Sequence, residues 1–207
     1  MSRLKVCGIC CEAFAVEAAR RGVDYLGFIF AGASPRRVTP SRAAEIANAV
    51  ILAGRREGTL PRPRFAGVFT DTPADAILLT AGAVPLDVVQ LHAPYADADV
   101  EMLSAAGLEV WRLYDPGRGA GMEDAVLLDG RDGARCGGTG RLADWALVGD
   151  LKRSGRRVVL AGGIGAGNIE GAIRTGADVI DVNSAIETAP GVKSIRLLDD
   201  LLSRMPG

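Results

Sequence analysis

Residues 4–30, LKVCGICCEAFAVEAARRGVDYLGFIF, contain the pattern that decides the fold. Two mainly apolar runs, Leu4–Ile9 and Tyr25–Phe30, flank a segment with helical periodicity, Glu12–Arg21. A half-exposed antiparallel strand would alternate apolar with polar residues, and these runs are instead continuous. The stretch therefore predicts two buried parallel strands joined by a helix.

The same unit recurs along the rest of the chain. Six further apolar runs bring the strand count to eight: Phe65–Thr70, Asp87–His92, Glu109–Tyr114, Ala125–Asp129, Arg157–Gly162 and Val179–Asn183. The further predicted helices, with Ser41 and Asn168 near their expected N-caps, are Ser41–Ala53, Pro73–Ala83, Ala98–Ala106, Asp144–Arg153, Asn168–Thr175 and Lys193–Arg204. Residues 115–124 are rich in glycine, so the helix after strand five is predicted to be short or missing.

This alternation fits either a closed barrel or an open doubly wound sheet. Eight strands favour a (β/α)8 TIM barrel that forms a single domain over residues 1–207. A dinucleotide-binding open sheet would carry a glycine-rich turn after its first strand, whereas the turn Gly162–Gly167 follows the seventh. We therefore expect a barrel whose active site lies at the C-terminal ends of its strands.

Composition narrows the classes of partner and the compartment. The 207 residues include 24 Lys and Arg against 25 Asp and Glu, which lacks the basic footprint expected for binding nucleic acid or an anionic membrane. The N-terminal residues contain no apolar run long enough for a signal sequence or a membrane span. Three of the four cysteines are clustered at Cys7, Cys10 and Cys11, unlike a secreted disulfide framework, so we expect a cytoplasmic protein.

Polar residues that close or follow the apolar runs are the candidates for chemistry. They are Cys7, Arg36, Gln90, His92, Asp129, Asn183 and Ser184. Alternation along strand one places Lys5 on the same side as Cys7, where an ammonium group would favour the thiolate. Glycines after strand seven, Gly162 and Gly163, and the segment from Ser184 after strand eight are typical of a phosphate site in barrels.

Other interpretations of these residues remain open on the sequence alone. Cys7 is equally consistent with a small buried apolar residue, and His92 with a hydrogen-bonded structural residue. The spacing of Cys7 and Cys10 matches a dithiol redox motif, but the chain is too long and repetitive for that fold. A zinc site built from Cys7, Cys10, Cys136 and His92 would lack a second closely spaced ligand pair.

Several short motifs, taken in order, resemble the phosphoribosylanthranilate isomerase family. They are Lys5–Ile9, Gly27–Phe30 with Ser34–Arg36, Gly67–Phe69, Gln90–His92, Gly137–Gly140 with Asp144 and Trp145, Leu160–Gly163, and Asp181 and Val182 with Glu187. The match runs from the first strand to the last, and ordered tri- and tetrapeptides are far more specific than any single motif.

The resemblance implies an Amadori rearrangement of an aminoaldose to an aminoketose, with roles for several residues of this chain. It implies that Cys7 is the general base, that Asp129 is the general acid and that Arg36 holds the anthranilate carboxylate. It places the substrate phosphate near Gly162, Gly163, Asn183, Ser184 and Ala185, with Gln90 and His92 beside the substrate. It implies a phosphorylated small-molecule substrate, no metal and no organic cofactor, and the oligomeric state stays open between monomer and homodimer.

The chain also departs from the family pattern. Cys10 and Cys11 stand where the family usually has Thr and Arg, Ala93 ends a motif that usually ends in Gly, and Asn183–Ala185 replaces a Ser-Ser-Gly segment. Two alternatives follow from these departures. One is an isomerase of the same chemistry that acts on a different aminoaldose phosphate, and the other is a non-catalytic barrel that binds a phosphorylated metabolite.

Overall fold

The computed structural model describes residues 2–58, 60–118, 121–130 and 144–206. Its eight parallel strands form a closed barrel in chain order, in which β1 pairs with both β2 and β8. The strands are β1 Arg3–Cys7, β2 Tyr25–Ile29, β3 Arg64–Phe69, β4 Val88–Leu91, β5 Glu109–Leu113, β6 Ala125–Leu128, β7 Val158–Leu160 and β8 Val179–Val182. The (β/α)8 prediction is therefore confirmed, and the open sheet is excluded.

Helices pack around the barrel between most of these strands. They are α1 Glu12–Arg20, α2 Pro40–Glu57, α3 Ala74–Ala83, α4 Asp97–Ala105, α5 Ala146–Arg153, α6 Ile169–Arg174 and α7 Ile195–Leu202. Helix α2 begins one residue before the predicted Ser41, because the Thr39 hydroxyl caps it by accepting from the Arg42 backbone N–H at 3.1 Å. Asn168 is the N-cap of α6, as predicted.

The last helix was predicted to begin at Lys193, and this was wrong. A two-stranded antiparallel hairpin, β9 Glu187–Ala189 and β10 Val192–Lys193, precedes it, and α7 begins at Ile195. The Ser194 side chain caps α7 by accepting from the Leu197 backbone N–H. This hairpin follows β8 and lies at the C-terminal mouth of the barrel.

No helix joins β5 to β6 among the described residues of that connection, 114–118 and 121–124, as predicted. A cluster of ion pairs occupies the outside of the barrel there. The buried Arg112 side chain donates to Asp97 at 2.7 Å and to Glu123 at 2.6 Å, and Arg156 also contacts Glu123. The aliphatic stem of Arg112 and the carboxylates paired with its guanidinium thus cover strand surface that a helix covers elsewhere.

Side chains fill the barrel interior in layers. One buried cluster there consists of Tyr25, Ala66, Val88, Trp111, Leu113, Ala125, Leu127, Val159, Ala161 and Val179. Tyr25 and Trp111 meet edge to face, with ring centroids 5.0 Å apart. Because this layer plugs the barrel, only side chains further along the strands can reach a substrate at the C-terminal mouth.

Four aspartates at the N-terminal end of the barrel follow one rule. Each immediately precedes an even-numbered strand and accepts, through a carboxylate oxygen, from a backbone N–H at the start of the preceding odd strand. The pairs are Asp24 with Leu4, Asp87 with Phe65, Asp124 with Val110 and Asp178 with Val158, at 2.7–2.8 Å. Each aspartate N–H also donates to the carbonyl of the same partner, so these four caps fix the start of each strand pair.

Candidate active site

Cys7 ends β1 and is buried at the mouth of the barrel beside Lys5. Gly27 on the neighbouring strand makes this placement possible, because a Cβ there would lie 2.9 Å from the Cys7 Sγ and 3.2 Å from the Lys5 Cε. Lys5 is fully buried, and its Nζ donates to Gln90 Oε1 at 2.8 Å and to Asp181 Oδ2 at 2.6 Å. Three strands therefore hold one ammonium group next to the cysteine.

The electrostatics of this pair differ from the sequence-based expectation in one respect. Burial lowers the pKa of Lys5 by itself, but the Asp181 carboxylate and the neighbouring thiol more than offset this, so the pKa of Lys5 is raised and it stays charged. Burial raises the pKa of the Cys7 thiol, and Lys5 opposes that shift without overcoming it. Lys5 favours the thiolate, as expected, yet Cys7 keeps its proton near neutral pH.

Asp129 follows β6 and is joined to Lys5 through two side chains. Its Oδ2 lies 2.8 Å from His92 Nε2, and His92 Nδ1 lies 3.2 Å from Gln90 Nε2. Gln90 accepts from Lys5 through its oxygen, so its nitrogen must donate to His92, which then carries its proton on Nε2 and donates to Asp129. The donors of this Lys5–Gln90–His92–Asp129 chain thus all point towards Asp129.

Gln90 differs from the other candidate residues in its surroundings. Its side chain is 1% exposed, and both ends of its amide have partners within the protein, Lys5 and His92. The geometry therefore gives Gln90 an orienting position beneath the site, whereas the resemblance placed it beside the substrate. His92 lies one step nearer the mouth, in direct contact with Asp129.

Arg36 lies in the loop after β2 and pairs with Glu187, which is 151 residues away in the sequence. Its Nε and Nη2 donate to the Glu187 carboxylate at 2.9 and 2.7 Å. Glu187 in turn accepts from the buried Lys193 at 2.8 Å. Sequence reasoning noted Glu187 only as part of a motif and missed Lys193.

The expected phosphate residues lie together on the loops after β7 and β8. Gly162 and Gly163 have left-handed backbones, with φ of 87° and 65°. A Cβ on Gly162 would also lie 2.3 Å from the Gly130 backbone nitrogen and 2.7 Å from Asp129 Oδ1, so only glycine fits there. After β8, Asn183 precedes a 3₁₀ turn, Ser184–Ile186, in which the Ala185 methyl packs over Gly165 of the neighbouring loop.

The described cysteines are neither joined in a disulfide nor grouped with other metal ligands. The Cys10 thiol donates to the carbonyls of Gly8 and Arg36, and Cys7, Cys10 and Cys11 are all free. Within residues 2–58, 60–118, 121–130 and 144–206, no group of three His, Cys, Asp or Glu side chains is arranged to hold a metal. Cys136 and the Gly137–Gly140 segment lie outside the described residues.

Comparison with known proteins identifies the family. The family model described as N-(5'-phosphoribosyl)anthranilate isomerase matches residues 4–204. The chain is 35% identical to the N-(5'-phosphoribosyl)anthranilate isomerase of Granulibacter bethesdensis, covering 98% of this chain and 97% of that protein. The chain belongs to the phosphoribosylanthranilate isomerase family.

Other relatives agree with the phosphoribosylanthranilate isomerase assignment in sequence and in structure. The enzyme of that name from Rubrobacter xylanophilus is 36% identical, over 98% of both chains. The crystal structure of the isomerase from Thermus thermophilus superposes with a TM-score of 0.82 at 32% identity, covering 98% of this chain and 97% of that one. A further structure of a phosphoribosylanthranilate isomerase, 26% identical, is a complex with reduced 1-(o-carboxyphenylamino)-1-deoxyribulose 5-phosphate. In the part of this isomerase that the structure describes, no helix is long and apolar enough to cross a membrane.

Proposed function

We propose that this chain converts N-(5'-phosphoribosyl)anthranilate into 1-(o-carboxyphenylamino)-1-deoxyribulose 5-phosphate, a step of tryptophan biosynthesis, with Cys7 as base and Asp129 as acid. Membership of the family supports the reaction. The observation that supports the two roles is the continuous chain from Lys5, beside Cys7, through Gln90 and His92 to Asp129. It holds a thiol on β1 and a carboxyl after β6 in one hydrogen-bonded array.

The proposed reaction begins with Asp129, which donates a proton to the ribose ring oxygen. The bond from C1′ to that oxygen breaks, and the anilino nitrogen forms a C1′=N double bond, which gives a Schiff base. The Cys7 thiolate then removes the C2′ proton, and the electrons of that bond form C1′=C2′ while the C1′=N electrons return to nitrogen. The enolamine becomes the ketone when C1′ gains a proton and the C2′ hydroxyl loses one.

The two catalytic groups must begin the cycle in opposite protonation states, thiolate and carboxylic acid. Burial keeps the proton on Cys7 near neutral pH, so the reactive state needs one proton to leave the thiol. Lys5 supports that state because its ammonium faces the thiolate that forms. The donor direction of the chain also allows His92 to keep contact with Asp129 while the acid loses its proton.

We assign substrate binding to two places at the mouth of the barrel, one for the carboxylate and one for the phosphate. Arg36 would pair with the anthranilate carboxylate, because a planar guanidinium binds a carboxylate through two parallel hydrogen bonds. The phosphate would bind backbone N–H groups near Gly162, Gly163, Ser184 and Ala185, on the loops that follow β7 and β8. Asn183 would border this phosphate site.

The decisive experiment follows the fluorescence of phosphoribosylanthranilate in the presence of the purified protein. We expect rapid loss of the substrate signal and competition by inorganic phosphate. No turnover by a folded protein would reject the proposed reaction. Turnover of another aminoaldose phosphate at a higher kcat/KM would instead favour the alternative substrate.

The cytoplasmic location and the choice between monomer and homodimer belong to the same proposal. The three described cysteines are free thiols, which supports a reducing compartment. Among the relatives, the isomerase of Thermotoga maritima is described as dimeric and has been made monomeric. Analytical ultracentrifugation of this chain measures which state it adopts.

A further inference from the structure

The hairpin after β8 carries two buried charges for which neither the family motifs nor the proposed reaction gives a role. Glu187 begins β9 and Lys193 ends β10, and their side chains are only 4% and 2% exposed. Burying a charge is costly unless it is paired and hydrogen-bonded. Both side chains lie at the mouth of the barrel, so their partners reveal what the hairpin does there.

Lys193 directs all three of its N–H donors at identified acceptors. Its Nζ donates to the Asn183 carbonyl at 3.0 Å, to Asn183 Oδ1 at 2.7 Å and to Glu187 Oε1 at 2.8 Å. Burial lowers the pKa of Lys193, and the Glu187 carboxylate acts against that shift. The ammonium therefore ties the residue before the expected phosphate turn to the carboxylate that holds Arg36.

Glu187 occupies only one edge of the Arg36 guanidinium. Burial by itself would raise the pKa of Glu187, but Arg36 and Lys193 outweigh burial and lower it, so Glu187 is an anion. It binds the Nε and Nη2 side of Arg36, and Nη1 makes no hydrogen bond to any residue that the structure describes. The Nη1–Nη2 edge is thus the one that a substrate carboxylate can take.

The charge of this cluster depends on Lys193. Arg36 and Glu187 alone sum to zero, and a neutral pair attracts an external carboxylate weakly. Lys193 restores one positive charge in surroundings where water screens little. The Arg36 stem and Asn183 also pack over Gly8, where a Cβ would lie 2.9 Å from Arg36 Cδ and 2.8 Å from Asn183 Oδ1.

We propose that Lys193 is a positioning residue for substrate binding, which holds Glu187 so that Arg36 presents its free edge, with net positive charge, to the anthranilate carboxylate. The inference rests on the role proposed for Arg36. Lys193 itself does not touch the substrate.

A double-mutant cycle between Lys193→Met and Arg36→Ala tests this inference. With Arg36 present, we expect Lys193→Met to raise KM at least about tenfold, the scale of a lost charge-assisted contact, with kcat changed less than about threefold. In the Arg36→Ala background, the same change should alter KM by less than about twofold, because its effect passes through Arg36. Calorimetric binding of anthranilate gives the same cycle without turnover.

Matched controls separate this role from a general loss of structure. Lys152→Met removes a lysine paired with Asp178 at the other end of the barrel and should leave both measurements unchanged. If Lys193→Met does not fold, Lys193→Gln, which keeps a donor for Asn183, replaces it in the cycle. Equal factors in both backgrounds, or a KM within about twofold of wild type, would overturn the proposal. Absence of wild-type turnover would reject the reaction, while the anthranilate cycle would still decide the role of Lys193.

Discussion

Two carboxylates, one at each end of this barrel, are held in different ways. At the N-terminal end, Glu109 accepts from Trp111 Nε1 at 2.6 Å, from Arg157 at 2.9 Å and from Arg64. At the mouth, Asp129 has His92 as its described side-chain partner. The first carboxylate is fixed as an anion by several donors, whereas the second has the acid role in the proposed reaction. The proposed roles thus divide one ring of strands between closure of the barrel at one end and proton transfer at the other.

The largest expected effect is loss of activity at the mouth. Cys7→Ala and Asp129→Asn should each reduce turnover by about 10²–10⁴, the usual contribution of a positioned general acid or base. Neither change should disturb the fold, because one deletes a sulfur and the other keeps the shape of the side chain. Circular dichroism and steady-state kinetics measure both. A folded Cys7→Ala protein with more than about a tenth of wild-type turnover would contradict the mechanism.

At the N-terminal end, replacing a carboxylate by an amide should lower stability and leave activity nearly unchanged. Glu109→Gln keeps an acceptor for Trp111 but removes the charge that faces two arginines. We expect it to lower the free energy of unfolding by about 1–3 kcal/mol, with kcat/KM within about twofold of wild type. Urea unfolding measures the stability of the variant. A fall in kcat/KM well beyond twofold in the folded variant would contradict the comparison.

The pH dependence of this stability difference has a defined sign. Burial alone would raise the pKa of Glu109, but Trp111 and the two arginines lower it overall. The stabilisation by this carboxylate is therefore complete above the ordinary pKa of glutamate and is lost as the pH falls through the lowered value. The gap between wild type and Glu109→Gln should close over that acidic range.

A smaller effect should show how the ion pair of Lys5 and Asp181 changes the reactivity of Cys7. Because the pKa of Cys7 is raised, its rate of alkylation by iodoacetamide should increase about tenfold per pH unit across neutrality. Lys5→Met with Asp181→Asn removes the buried ion pair without leaving either charge alone. Since Lys5 lowers the thiol pKa more than Asp181 raises it, the double variant should shift this rise to higher pH.

The alkylation experiment needs a background without competing thiols. Cys10→Thr, Cys11→Ser and Cys136→Ser together leave Cys7 as the sole cysteine of the chain. A substrate analogue should protect it from alkylation. An unchanged pH profile in the Lys5 and Asp181 double variant would show that this ion pair does not tune the base.

The smallest expected effect concerns the two neighbouring arginines. Arg36→Lys should raise KM by roughly tenfold, since lysine cannot make the two parallel contacts, while Arg37→Lys should change it by less than about twofold. The backbone N–H of Arg37 donates to the Ser34 carbonyl within the loop. Equal, small effects of the two changes would show that Arg36 does not bind the substrate carboxylate.

The barrel strands could be predicted from the sequence, because continuous apolar runs recur along it, and Cys7 and Asp129 are candidates because each closes such a run. Their roles as base and acid come from the family resemblance and stay predictions. The hairpin that carries Lys193 could not be predicted, since strands of two and three residues contribute no periodicity and the adjacent pattern suits a helix start. The Arg112 cluster was missed for a related reason. Alternation places Arg112 in a strand, but it does not show that the long Arg112 side chain will cover the outside of the barrel in place of a helix.

Gln90 illustrates a second limit of the sequence. A strand-end motif shows that a polar side chain faces the interior, but only the positions of Lys5 and His92 show which end of its amide donates. The direction of the chain towards Asp129 depends on that choice. It arises from three strands whose register is set by the closed barrel.

The four aspartate caps at the N-terminal end divide the ring into strand pairs that close over short distances. Their partners lie only 20, 22, 14 and 20 residues apart in the chain, whereas the contact of β1 with β8 joins residues 176 apart. The entropy lost on closing a loop increases with its length, so the four local pairs can form before the ring is sealed. A circularly permuted chain, opened between two of these pairs and joined through the original termini, would keep all four caps. The strand pairing that is most distant in sequence would then lie at another position in the ring.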